Sequence, residues 1–236
     1  MTPLKTLTTQ TLSNGQTVSL DRRGSTYFFR HESDTISTSN ATDAGLILAE
    51  QVCHPIRGAK QPRILVACRG FGELAAGTLN VVIQKKGQIV IHDSDFVLRD
   101  WQINHFPDLH PAVIGEDSRV VSTSTPLPEL LEEAPEGWHG IVADLDILAA
   151  TNPNALDIFT TTKGLAKCAA NLREGSLVGV TAAELDKKLI NRMADAGLNP
   201  VTDSVPVATR ARRSRMQTII LAKRGEYRPQ NARRRR

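Results

Sequence analysis

The sequence predicts an α/β protein built on one doubly wound, mainly parallel sheet of seven strands that ends in an antiparallel hairpin. Two observations support this fold class. Short apolar runs alternate with helix-forming stretches from residue 63 to residue 196, and this alternation is typical of parallel strands joined by crossover helices. The last two apolar runs, Val201–Val207 and Met216–Ala222, have no helical pattern between them. We therefore expect them to pair with each other as an antiparallel hairpin.

A small β-hairpin is predicted ahead of the sheet. Thr17–Leu20 and Thr26–Arg30 have strand-like patterns on either side of a turn at Arg22–Gly24. A helix over Asp43–His54 follows, because its apolar residues recur at helical spacing and Pro55 ends the run. The chain then enters the first strand of the sheet.

The alternating elements of the sheet follow in a regular order, with a helix predicted between each strand and the next. The predicted parallel strands cover residues 63–67, 88–92, about 119–123, 140–145 and 176–181. The predicted helices cover residues about 72–84, about 95–104, 127–133, 155–172 and 182–196. Together with the C-terminal hairpin, these strands make a sheet of seven.

Size and composition favour a protein with one core. The 236 residues, 40% of them hydrophobic, suffice for one α/β domain and are too few for two full domains. No apolar run reaches the roughly 20 residues that cross a bilayer, and the polar start lacks a signal-peptide pattern. Cys53, Cys68 and Cys168 are widely spaced, which favours reduced thiols over disulfides or zinc ligands. We therefore expect a cytoplasmic protein and no metal site.

Charge is distributed unevenly along the chain. Arg210–Arg236 holds eleven basic residues and one acidic residue, whereas the first 209 residues hold 18 basic and 24 acidic residues. An arginine-rich segment attracts phosphate backbones through counterion release, so RNA is the predicted partner. A solvated end without a partner is the alternative. We divide the chain into an N-terminal β-hairpin extension (1–35), an α/β domain (36–224) and a basic disordered tail (225–236).

A candidate ligand pocket begins where the first strand ends. The apolar run from Arg63 passes into a turn that contains Gly70 and Gly72, and then into a helix. Glycines let the backbone approach a ligand, and a helix N-terminus favours an electron-rich group. The second strand ends at Asp93, where nucleotide-binding sheets place a carboxylate for ribose hydroxyls. We predict an adenosine-containing ligand between the turn and Asp93, with helix capping by this acid or by Asp95 as the alternative.

Two further carboxylates follow the predicted strand 140–145. Asp144 and Asp146 are two residues apart, so they point the same way if both lie on an extended strand. Close carboxylates raise each other's pKa, which suits a group that accepts a proton from an amine. We predict a catalytic role for Asp144, with electrostatic binding of an amine and helix capping as alternatives. Glu73, in a first helical turn, is assigned only a favourable interaction with the helix dipole.

The order of these features resembles the class I S-adenosylmethionine-dependent methyltransferases over about residues 38–224. Within that class, Ile36–Gly45 and His92–Asn104 look like segments of the ribosomal-RNA guanine methyltransferases. The resemblance implies a Rossmann-like methyltransferase fold, S-adenosylmethionine as cofactor, and methyl transfer to ribosomal or other structured RNA. The cofactor-binding residues that it implies are Ala67, Arg69, Gly70, Gly72, Asp93, Ser94 and Asp144.

A second resemblance leads to a different reaction. The leading hairpin, Ile141–Asp146 and Gly164–Gly175 are similar to the corresponding parts of spermidine-synthase-like proteins. This resemblance implies an aminopropyl transfer in which Asp144 deprotonates a polyamine. A third possibility is a non-catalytic binding protein that keeps the fold. It rests on Val66 and Cys68, which stand where an acid and a glycine are expected, and on Asp144–Asp146, which stands where the methyltransferases above have an Asn-Pro-Pro-Phe motif.

Overall fold

The structure, a computed structural model, describes residues 2–114, 117–134, 137–184, 186–207 and 215–225. Two sheets lie within these residues. The N-terminal sheet consists of β1 (Lys5–Thr11), β2 (Thr17–Arg23), β3 (Thr26–His31) and β4 (Asp34–Thr38). The large sheet consists of β5 (Arg63–Val66), β6 (Gln88–His92), β7 (Val120–Thr123), β8 (Trp138–Asp144), β9 (Leu172–Thr181), β10 (Leu198–Val207) and β11 (Arg215–Arg224).

Helices connect the strands of the large sheet and cover its faces. They are α1 (Asp43–Cys53), α2 (Glu73–Val81), α3 (Val97–His105), α4 (Leu127–Glu132), α5 (Leu145–Thr151), α6 (Pro153–Thr160), α7 (Thr162–Asn171) and α8 (Leu189–Asp195). Two short 3-10 turns, His54–Ile56 and Pro111–Ile114, lie between them. No helix in the described ranges is long and apolar enough to cross a membrane.

The predicted fold class is confirmed. The large sheet has the strand order β10-β11-β9-β8-β5-β6-β7, in which β5 to β9 run parallel and the last two strands are antiparallel. The central strands are buried on both faces because helices cover both sides, which explains their continuous apolar runs. The chain reverses its direction of winding between β5 and β8. A crevice at the carboxyl ends of these two strands is where a doubly wound sheet binds its ligands.

The predicted N-terminal hairpin is confirmed as β2 and β3, which pair antiparallel, and β1 and β4 extend it to a sheet of four strands. β1 was not predicted, since its sequence KTLTTQT is polar and most of its residues are exposed. The apolar side chains of Leu20 and Phe29 join the core of the large sheet, and the Tyr27 hydroxyl donates to the carbonyl of His105 at 2.6 Å. The small sheet therefore packs against the α/β part of the chain.

Several predicted helices have different bounds. The predicted helix 155–172 is two helices, because Thr161 is extended and its side chain caps α7 by accepting from the N–H of Gly164 at 3.1 Å. The predicted helix 182–196 is reduced to α8. α5 begins directly after Asp144 and was not predicted. The arginine-rich connection 210–214 and the tail from 226 onward lie outside the described residues, and the three cysteines are buried without disulfides.

Candidate functional site

The glycine turn after β5 has the geometry that the sequence predicts. Gly70 and Gly72 have φ angles of 56° and 94°, a region in which residues with a Cβ are strained. The N–H of Gly72 donates to the carbonyl of Arg69 at 3.0 Å, and α2 begins at the next residue. The turn lies at the carboxyl end of β5, which is paired with β6 and β8, and we call the space at the ends of these three strands the predicted ligand crevice.

The side chain of Arg69 occupies the part of this crevice next to Asp93. Its Nε donates to Asp93 Oδ2 at 2.9 Å, and the two side chains are 0% and 7% exposed. Burial raises the pKa of Asp93 and lowers that of Arg69, whereas their mutual attraction opposes both shifts. We describe them as an ion pair, because a guanidinium keeps its proton in proteins. The carboxylate predicted to bind ribose is thus already bound by the chain itself.

The remaining donors of Arg69 fix it in this position. Nη1 donates to Gln102 Oε1 at 3.4 Å, and Nη2 donates to the hydroxyl of Ser122. Gln102 also covers the turn, since a Cβ added at Gly72 would lie 3.1 Å from its Nε2. The cavity left next to Asp93 measures about 10 Å³, which is about the size of one water molecule. The part of the predicted ligand crevice beside Asp93 is therefore filled by protein atoms.

Glu73 fills the other side of the same turn. A Cβ at Gly70 would lie 2.7 Å from Glu73 Oε1, and one at Gly45 would lie 2.5 Å from Glu73 Cγ. Both glycines are therefore needed to make room for this side chain. It is 3% exposed, and its Oε2 has no hydrogen-bond partner among the described atoms. Burial raises the pKa of Glu73 to about 8, and the backbone N–H groups of Phe71 and Glu73 limit the increase.

Asp144 lies at the end of β8, directly across from the turn. Its Oδ1 accepts from the N–H groups of Asp146 and Ile147, each at 3.0 Å, so it is the N-cap of α5. Burial raises the pKa of Asp144 to about 7, the backbone donors lower it, and the charge of Asp146 raises it further. Asp144 therefore caps α5, as the helix-capping alternative predicts. Its carboxyl group also lines a cavity.

That cavity is the main open space at this edge of the sheet. It has a volume of about 470 Å³, within the usual range for small-molecule sites. Glu73, Asp144 and Asp146 form its acidic wall, and we call it the acidic cavity. The opposite wall comes from the N-terminal sheet and the residues after it: Arg23, Thr26, Phe28, Thr35, Ile36, Ser37, Thr38, Asn40 and Ala41.

The expected geometry of Asp144 and Asp146 needs a correction. They were expected to lie on one extended strand, but β8 ends at Asp144 and Asp146 is in the first turn of α5. Both nevertheless line the acidic cavity, and Asp146 Oδ2 accepts from the N–H of Ala183 at 2.6 Å. The helix turn, not the strand, brings the second carboxylate to the cavity.

The predicted cofactor-binding residues are distributed over two places. Ala67 is fully buried, with its N–H donating to the carbonyl of Val142 at 2.8 Å. Ser94 lies next to Asp93, and its hydroxyl donates to Asp95 Oδ2 at 3.2 Å. Of the seven, Asp144 alone lines the acidic cavity. The cofactor roles of the others stay predictions, and Glu73 is the functional candidate that sequence analysis missed.

No group of three histidine, cysteine, aspartate or glutamate residues in the described ranges is arranged to hold a metal ion. The aromatic residues near the turn pack on each other: the rings of Phe71 and Phe106 have centroids 5.3 Å apart and both residues are buried. These rings belong to the core and are not available to stack on a ligand. On the large-sheet side of the acidic cavity, the ionisable groups among the described lining residues are the three carboxylates.

No protein-family model and no curated protein sequence matches the chain. Spermidine synthase from Thermotoga maritima is similar in structure, with a TM-score of 0.65 and 14% identity over 94% of this chain and 73% of that one. A probable spermidine synthase from Corynebacterium glutamicum has a TM-score of 0.62 and 16% identity over 96% and 82%. A precorrin-6y C5,15-methyltransferase from Geobacter metallireducens has a TM-score of 0.50 and 11% identity over 75% and 88%. At these identities the likeness shows the fold alone, which is the Rossmann-like fold of class I methyltransferases and spermidine synthases.

Proposed function

We propose that this chain is a non-catalytic member of its fold that binds a small amine in the acidic cavity. The observation that supports the proposal best is that two neighbouring spaces at one edge of the sheet differ, one being filled and the other open. The part of the predicted ligand crevice beside Asp93 is filled by the buried Arg69–Asp93 ion pair, whereas the adjacent acidic cavity is open. The acidic cavity thus offers room for one small ligand, and the Arg69 side chain takes up the position beside Asp93 in which a ribose was predicted.

The amine is the ligand class that fits the charges of this cavity. Three carboxyl groups line it, and the buried Oε2 of Glu73 has no partner in the described structure. A buried polar atom without a partner is costly, and a bound ammonium group would supply the missing donor. Two of the similar structures are spermidine synthases, which are named after a polyamine product. That likeness supports an amine ligand here without identifying it.

Group transfer from an adenosyl donor requires a different conformation. Both S-adenosylmethionine-dependent methyl transfer to RNA and aminopropyl transfer need ribose hydroxyls on Asp93, where Arg69 Nε now lies 2.9 Å away. The Arg69 side chain would have to leave its buried partners before such a donor could bind. A bound donor would supply the activated group, and Asp144 would then face the acceptor. Both reactions stay predictions, and the ion pair counts against them.

Calorimetric titration tests the proposal. We expect 1,4-diaminobutane or spermidine to bind, because the acidic cavity attracts ammonium groups. We expect no heat from S-adenosylmethionine or its decarboxylated form, because Arg69 occupies the predicted ribose position beside Asp93. Asp144→Asn should weaken amine binding by about tenfold or more, since it removes one charge from the acidic wall.

A matched substitution controls for the general loss of negative charge. Asp195→Asn, at the exposed end of α8, should leave amine binding unchanged. Binding of S-adenosylmethionine by the wild-type protein would contradict the closed crevice. Absence of binding by every amine would contradict the acidic cavity as the ligand site.

RNA binding by the basic tail is a separate proposal. Residues 226–236 contain five arginines and lie outside the described residues. Deleting them should reduce the salt dependence of RNA binding, because fewer counterions are released from the phosphate backbone. Fluorescence anisotropy with a structured RNA at several salt concentrations measures this slope. An unchanged slope would exclude the tail as the electrostatic anchor.

A further inference from the structure

Among the described residues that line the acidic cavity, Arg23 is the cationic one, and it lies on the opposite wall. Arg23 lies at the end of β2, and its side chain lines the same cavity as Glu73 and Asp144. Its guanidinium carbon is 5.8 Å from the centroid of the Phe28 ring, a stacking contact that orients the group. The N-terminal sheet thus contributes a charge opposite in sign to that of the acidic wall.

Within the described ranges, Arg23 does not form an ion pair with Glu73 or Asp144, two of the carboxylates that share its cavity. Its Nε is buried and has no hydrogen-bond partner in the described part of the chain. A buried guanidinium N–H without an acceptor is costly. An anionic group on a ligand would satisfy this donor.

Neighbouring positions in the same sheet behave differently. Arg22 is exposed, stacks on Tyr27 and donates from its Nε to the carbonyl of Gly24 at 2.7 Å. Arg30 pairs with the buried Asp21 at 3.0 Å. Arg22 therefore has a partner for its Nε, and Arg30 has a partner for its charge, although the Nε of Arg30 also lacks a partner in the described part of the chain. Arg23 combines a position on the cavity wall with a buried donor that has no partner.

We propose that the acidic cavity binds a ligand with an ammonium group at one end and an anionic group at the other, with Arg23 holding the anionic end. This inference rests on the proposed amine-binding function and narrows its ligand to amino acids or similar zwitterions. A diamine would place its second ammonium group against the Arg23 guanidinium, and like charges repel. The hydroxyl and amide side chains between the two walls, such as Ser37 and Asn40, suit a polar ligand.

Calorimetry with ligands of equal length tests this assignment. We compare 4-aminobutanoate with 1,4-diaminobutane, and 6-aminohexanoate with 1,6-diaminohexane. An amino acid should bind about tenfold or more tightly than the diamine of the same length. Arg23→Gln should weaken amino-acid binding by about tenfold or more and should not weaken diamine binding. Arg23→Lys should keep the preference, because it keeps the charge.

Arg22→Gln is the matched control, since it removes a neighbouring positive charge outside the cavity. It should change the affinity for the amino acids and for the diamines by no more than about twofold. Thermal unfolding of each variant shows that it is folded. If diamines bind at least as tightly as amino acids and Arg23→Gln has no effect on either, the zwitterion assignment is wrong while amine binding stands. If neither ligand class binds to the wild-type protein, amine binding itself is wrong.

Discussion

Replacing Arg69 by methionine should lower the free energy of unfolding by about 3–5 kcal/mol at pH 8. Methionine is similar in length and fills most of the same space, so the main loss is electrostatic. Asp93 is 7% exposed and would keep a buried charge without its partner. Burial already raises the pKa of Asp93 in the presence of the guanidinium. Without the guanidinium, the Asp93 carboxylate must take up a proton, or the protein must open locally so that water reaches it. Urea unfolding followed by tryptophan fluorescence measures the change.

The double variant Arg69→Met with Asp93→Leu separates the ion pair from the packing. Removing both charges removes the desolvation penalty of each, so we expect it to recover most of the lost stability. Lys167→Met is the control for an ordinary ion pair, because Lys167 and Glu132 are 36% and 63% exposed. It should cost no more than about 1 kcal/mol. A cost for Arg69→Met as small as that of Lys167→Met would mean that the crevice is open to water and that Arg69 does not fill it.

The fold could be predicted because its signal is local. Each central strand of the large sheet is an apolar run buried on both faces, and each connection carries a helical pattern, so alternation alone indicates the architecture. The polar strand β1 has no such pattern, since it is an exposed edge strand held by its pairing with β2. Its formation depends on a partner, which periodicity does not reveal.

Whether the predicted ligand crevice is open or filled is harder to predict, because this depends on residues from four segments of the chain. The sequence places Arg69 in the turn and Asp93 at the next strand end, and both positions were predicted to contact a cofactor. Only the tertiary structure brings the guanidinium to Asp93, Gln102 and Ser122 together. One signal was available: a long cationic side chain within a turn of small residues has to extend towards an acid or into solvent.

The burial of Glu73 was not predicted for the same reason, because it depends on tertiary contacts. At the start of α2 an acid has an adequate local explanation, the helix dipole. Its burial results from contact with Gly45 of α1 and Gly70 of the turn, which are far apart in sequence. The acidic cavity therefore has one more carboxyl group than the pair that the sequence indicates.

Amine binding should strengthen as the pH rises from about 6 to about 9, by on the order of 10²-fold between pH 6 and pH 8. Burial raises the pKa of Glu73 to about 8 and that of Asp144 to about 7. Below both values the two groups hold protons and are neutral, so an ammonium group finds little charge to bind. Above them the carboxylates are ionised and the attraction is complete. Since the two groups are close, their titrations belong to the pair and not to one residue.

Proton release measures this linkage directly. Titrations in two buffers with different ionisation enthalpies should show about one or two protons released per amine bound at pH 6.5, and almost none at pH 9.5. Glu73→Gln should remove the part of the release that persists above pH 7.5. Glu129→Gln, an exposed acid on α4, should change nothing. With 4-aminobutanoate as the ligand, the single ammonium group keeps its proton up to about pH 10, as a lysine side chain does, so the ligand does not cause the change.

An affinity that is constant across this range, or that falls as the pH rises, would mean that the carboxyl groups of the acidic cavity do not contact the ligand. The expected direction follows from the cost of keeping charges on two carboxyl groups that are buried in the wall of the cavity. A cavity with freely hydrated carboxylates would hold a cation equally well at pH 6 and pH 9. Glu73 and Asp144 are kept partly protonated by burial, so the bound cation and the bound protons compete, and acidification should release the amine.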